Sequence, residues 1–122
     1  KMTAQELCDY AVAKIVEQGG QSMAANEDTC AMVSADGKRR CAFSWTLDED
    51  DSTCMSYERA ADIFIHRFPE KTPKAFRSDP HIAKCLQNLH DHAIEWYIHE
   101  LEGAGISTDA PQYQQWLTME YT

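Results

Sequence analysis

The sequence predicts a small α+β fold in which a short antiparallel β-hairpin packs on three or four helices. Three observations lead there. Asp36-Gly37 is a turn dipeptide set between two short apolar runs, and Asp-Gly tolerates the positive φ values that a tight hairpin turn needs. The remaining apolar residues recur at three- and four-residue intervals, the period of a helix with one buried face. The chain has 122 residues, 43% hydrophobic and 25% charged, ordinary globular values for one core, so a single domain over 1–122 is expected.

The first helix is announced by Thr3-Ala4-Gln5-Glu6, a capping box in which the Thr3 hydroxyl and the Glu6 carboxylate each satisfy the other's backbone N–H. Leu7, Cys8, Ala11, Val12, Ile15 and Val16 then form an apolar stripe, and Gly19-Gly20 supplies the positive-φ exit. A polar loop over 21–28 leads into the hairpin. With Asp36 and Gly37 central to the turn, Met32 faces Cys41 and Cys30 faces Phe43, so Cys30, Met32, Cys41, Phe43 and Trp45 share one face that needs a helical cover. The spacing of Tyr57, Ala60, Ala61, Phe64, Ile65 and Phe68 predicts a second helix over about 54–67, ended by Pro69. Arg67, Lys71, Lys74 and Arg77 surround Pro69 and Pro73, and residues 69–78, without apolar periodicity, read as a basic, mobile loop. Asp79-Pro80 is an N-cap followed by proline at the first helical position. A long third helix is expected from there to about Glu102, with Ile82, Cys85, Leu86, Leu89, Ala93, Trp96 and Tyr97 in one arc. A last helix, about 110–120, carries Tyr113, Trp116 and Leu117.

Charge and composition restrict the partners. The formal net charge is −9, which disfavours nucleic acid, because a phosphate binder neutralises phosphates with lysine and arginine. No run approaches the roughly 18 apolar residues of a membrane span, and no charged-then-apolar leader pattern is seen; a soluble, cytoplasmic protein is expected. Five widely spread cysteines without a Cys-x-x-Cys pair read as reduced thiols. A Cys30–Cys41 bridge would need a four-residue loop from Ser34 to Gly37.

The hairpin and its flanks, Gln18-Gly19, Cys30, Asp36-Gly37, Cys41-Ala42 and Asp48-Glu49, resemble a group of small uncharacterised proteins encoded by bacteriophages and prophages. So does Leu86-Gln87-Asn88-Leu89-His90-Asp91, which matches the Leu-Gln-x-x-His-Asp helix of that group. The matched stretch covers roughly residues 15–95. The resemblance implies a phage-type accessory protein acting in a bacterial host cytoplasm; it assigns no catalytic residue and no cofactor.

Candidate chemistry is sparse. His81, His92 and His99 fall on one flank of the expected third helix, but His92 and His99 lie about 10.5 Å apart along a helix axis. Glu95 and His99, one turn apart, are the tight candidate for a metal, and a polar flank without metal is the favoured reading. His90-Asp91 with Cys41 or Cys85 would suit a thiol nucleophile and base, yet adjacent helical residues point about 100° apart, so Asp91 is not expected to orient His90. No phosphate-binding Gly loop, Gly-x-Ser-x-Gly or His-Glu-x-x-His is present, and a non-enzyme is favoured. The sequence therefore predicts a binding protein that modulates a host or phage macromolecule as an anti-defence inhibitor. Its partner is a protein, basic by charge complementarity, or a second copy of the chain. The binding residues expected are the acidic run Asp48, Glu49, Asp50 and Asp51 and an exposed aromatic anchor of Tyr113, Trp116 and Tyr121. The rivals are a small metal-assisted or thiol enzyme and an acidic DNA mimic.

Overall fold

The computed structural model describes residues 2–23, 32–34, 36–47 and 60–119. Helix α1 spans Ala4–Gln18; its Thr3–Glu6 capping box is closed in both directions, and Gly19 at φ 86° ends it. Helices α2 (Ala61–Arg67), α3 (Lys74–Ser78), α4 (Pro80–His92), α5 (Glu95–Gly103) and α6 (Pro111–Thr118) follow. α4 is central and packs against α1, α2, α3 and α5, while α6 lies along α1. The buried side chains form one cluster around α4. Gln5 ties α1 to the approach to α6 by exchanging two bonds with the Ser107 backbone, and the Tyr113 hydroxyl donates to Asp9 at 2.8 Å.

The expected β-hairpin and α+β class are not seen among the described residues. Among the described residues there is no strand or sheet, and Val33 and Arg40 meet as an isolated antiparallel bridge. The turn itself is tight: Gly37 has φ 74°, Asp36 accepts from Ser34 Oγ and the Lys38 N–H, and Cys41 N–H donates to the Met32 carbonyl. Pairing stops because the chain curls immediately afterwards. Phe43 is in the αR region and starts the 3₁₀ turn Ser44–Thr46, and the Cys41 carbonyl accepts from Trp45 N–H. Every residue from Arg40 to Ser44 is buried, whereas a half-buried strand would alternate. Gln18, at the end of α1, then takes the place of another strand. Its amide donates to the Gly20 and Arg40 carbonyls and accepts from the Arg40 N–H and the Trp45 indole N–H, all at 2.7–2.9 Å. Cys41 is a buried free thiol opposite Met32; Cys30 lies outside the described residues.

Three helix expectations also change. Of the second helix expected over about 54–67, the described part is Ala61–Arg67, preceded by an extended Ala60 (φ −60°, ψ 148°), and 54–59 lie outside the described residues; the Gln87 side chain accepts the Ala61 N–H from α4. The expected basic loop contains the 3₁₀ turn Pro69–Lys71 and helix α3, which drives Phe76 into the core. The long third helix is two helices, broken at Ala93 and Ile94. Ala93 is left-handed (φ 49°, ψ 41°), and the carbonyls at the end of α4 find partners outside a continuing helix. Leu89 keeps its helical i→i+4 bond from Ala93 N–H and also accepts from the Trp116 indole, while Gln21 donates to the His90 and Asp91 carbonyls. A backbone at positive φ costs a non-glycine residue about 1–2 kcal/mol. Ala93→Gly should therefore stabilise the protein by about 0.5–1 kcal/mol after the unfolded-state entropy of glycine is subtracted. In an unbroken helix the same change would cost about 1 kcal/mol, so the direction in which the urea midpoint moves decides between the two.

Candidate functional site

The break at Ala93 folds α5 back along α4 and creates the site. Residues that a straight helix would hold far apart meet across the helix pair. His81, in the first turn of α4, has its Nε2 3.3 Å from Oε2 of Glu100 on α5. Cys85, one turn further along α4 and thus on the same face, has its Sγ 3.5 Å from that same Nε2. The three ligand-type atoms all lie within 4.8 Å of one another. His81 and Glu100 also line a groove of about 330 Å³ bounded by Trp96, His99, Gly103 and Ala104, while Cys85 is buried.

The groove lining combines the polar side chains of His81, His99 and Glu100 with the indole of Trp96. Trp96 is 63% exposed and Ile94 53% exposed, although helical periodicity places Trp96 in the core arc. The two-residue break rotates it onto the surface. His99 is held between two carboxylates, Nδ1 3.0 Å from Glu102 and Nε2 3.7 Å from Glu95. Glu95 and His99 thus approach as the sequence spacing allows, but the carboxylates take opposite ring nitrogens and do not converge on one point. His92 instead stacks on Tyr97, ring centroids 5.8 Å apart.

Thiol catalysis gains no support from this geometry. A nucleophile, base and orienting acid use both imidazole nitrogens, one toward each partner, whereas Cys85 and Glu100 approach the same nitrogen of His81. Burial, with the charges of Glu100 and Asp79, pushes the Cys85 thiol up to about 11, and burial with the neighbouring Asp9 charge pushes Cys8 up to about 12, away from the thiolate that attacks. His90 and Asp91 correct the sequence expectation in a different way: adjacent as they are, His90 Nδ1 lies 2.7 Å from Asp91 Oδ1. The ring's Nε2 accepts the Ser22 N–H at 2.9 Å, which fixes the Nδ1–H tautomer and leaves no nitrogen for a thiol. His90 is fully buried and stacked parallel to Trp116. It is a structural histidine.

The other expected binding residues are distributed as follows. Asp48, Glu49, Asp50, Asp51 and Tyr121 lie outside the described residues. Tyr113 and Trp116 are 0% and 1% exposed, with their polar atoms bonded to Asp9 and the Leu89 carbonyl; neither ring offers a surface anchor. The exposed indole is Trp96. The four-residue spacing of His81 and Cys85 is a signal in the sequence that went unused, because periodicity puts Cys85 in the core arc and His81 on a polar flank; Glu100 and Trp96 reach the groove only through the break at Ala93, and alanine carries no helix-breaking signal. No helix among the described residues is long and apolar enough to cross a membrane. Comparison with protein-family models, curated proteins and solved structures gives no match.

Proposed function

We propose that this chain is a small accessory binding protein, of the phage type implied by its hairpin and Leu-Gln-x-x-His-Asp segments, that occupies an arginine-bearing surface of a protein partner in a bacterial cytoplasm. The observation that carries the reading is Trp96, 63% exposed and lining the α4–α5 groove with Glu100, on a helix that also carries Glu95 and Glu102. A guanidinium plane stacks on an indole face while its N–H fork meets carboxylates, and aromatic residues dominate interface hot spots. The net charge of −9 adds long-range attraction for a basic partner, which raises the encounter rate. Inhibition of a host defence component would follow from occupying such a surface.

Affinity capture from bacterial host lysate, run in parallel on the parent chain and Trp96→Ala, tests the reading. A basic protein retained by the parent and lost by at least tenfold with Trp96→Ala is the expected result. Equal retention by both removes the groove rim from the interface. With the partner in hand, converting Asp48, Glu49, Asp50 and Asp51 to Asn or Gln should slow association and flatten its salt dependence; an unchanged on-rate would leave the α5 face as the interaction surface.

A further inference from the structure

We propose that His81, Cys85 and Glu100 form a binding site for a zinc-like divalent transition-metal ion between α4 and α5, beside the groove that His81 and Glu100 line. The two separations from His81 fit tetrahedral coordination. Bonds of about 2.3 Å to sulfur, 2.0–2.1 Å to imidazole nitrogen and 2.0–2.2 Å to carboxylate oxygen, at tetrahedral angles, require an S···N separation of about 3.6 Å and an N···O separation of about 3.4 Å. The corresponding separations are 3.5 Å for Cys85 Sγ to His81 Nε2 and 3.3 Å for His81 Nε2 to Glu100 Oε2, with all three atoms inside 4.8 Å of one another.

The shared nitrogen points the same way. An imidazole Nε2 offers one in-plane position, a proton or a lone pair, so a single Nε2 cannot bond well to a thiol and a carboxylate together. A metal ion taking the Nε2 lone pair accounts for both neighbours at once. Charge balances too: Cys85 gives its proton to solvent on coordination, and one thiolate plus one carboxylate neutralise a dication, with His81 neutral. Sulfur, imidazole and carboxylate together select zinc and its neighbours over magnesium or calcium, which prefer all-oxygen sets. Two ligands come from one face of α4 and the third from α5, so the ion clamps the helix pair. Three protein ligands leave a fourth position open toward the groove, where water or a donor atom of the bound partner completes the shell. The site does not rest on the identity of that partner.

Cobalt(II), a spectroscopic stand-in for zinc, is the probe. Titrated into the full, reduced chain, one equivalent should produce a thiolate-to-cobalt charge-transfer absorption that zinc abolishes by displacement. Cys85→Ser should lose the band, and Glu100→Gln should weaken binding at least tenfold. His81→Gln, at an exposed position, should do the same with the fold intact by circular dichroism, which keeps the test decisive if the buried Cys85 substitution impairs folding. No band at one equivalent, or a band that survives His81→Gln and Glu100→Gln at full affinity, would overturn the proposal.

Discussion

Replacing Phe43 with alanine should cost about 3–5 kcal/mol, the range for deleting a buried aromatic ring and leaving its cavity. Phe43 is fully buried and joins two parts of the chain far apart in sequence: its ring meets Phe64 of α2 edge-on at 5.5 Å and Phe76 of α3 at 6.1 Å. Losing it opens the layer between the turn segment and both short helices. Phe43→Leu retains most of the volume and should cost under about 1.5 kcal/mol. Urea unfolding followed by circular dichroism measures both, and a parent-like midpoint for the alanine variant would remove Phe43 from the core.

Trp116→Ala should be as damaging, at about 3–5 kcal/mol, because it deletes the largest fully buried side chain together with its stack on His90 and its bond to the end of α4. Trp116→Phe keeps a flat ring over His90 and loses the indole N–H, so its cost should be smaller. The two readings of this residue predict opposite behaviour. An exposed anchor would leave stability unchanged and lose a partner; the buried ring loses stability whether or not a partner is present. Thermal or urea unfolding of the isolated chain separates them.

The parts of the fold that the sequence revealed are those written in local chemistry. Thr3, Glu6 and Gly19 announce α1 through capping groups that act within a few residues, and Pro69 and Pro80 mark helix ends by their fixed backbone. Asp36-Gly37 marks its turn in the same way. What was not legible depended on distant partners. The hairpin reading failed because the pairing depends on the curl after Cys41 and on Gln18 capping the Arg40 backbone from α1, neither of which alternation can show. At the break between α4 and α5 the freed His90 and Asp91 carbonyls are taken by Gln21, remote in sequence from Ala93, and periodicity runs smoothly through it. Since that break brings Glu100 to His81 and turns Trp96 outward, the candidate site was illegible for the same reason as the fold feature that builds it. Phe76 escaped notice because a five-residue helix is too short to show a period.

The account stands on Trp96 being a surface residue that the fold does not need. The unfolding free energy of Trp96→Ala tests this directly. Surface substitutions away from special contacts stay within about 0.5 kcal/mol of the parent, and the variant should unfold at the parent's urea midpoint with the same slope. A loss of about 3–5 kcal/mol, the signature of a deleted core aromatic, would return Trp96 to the interior of one continuous helix and contradict the groove.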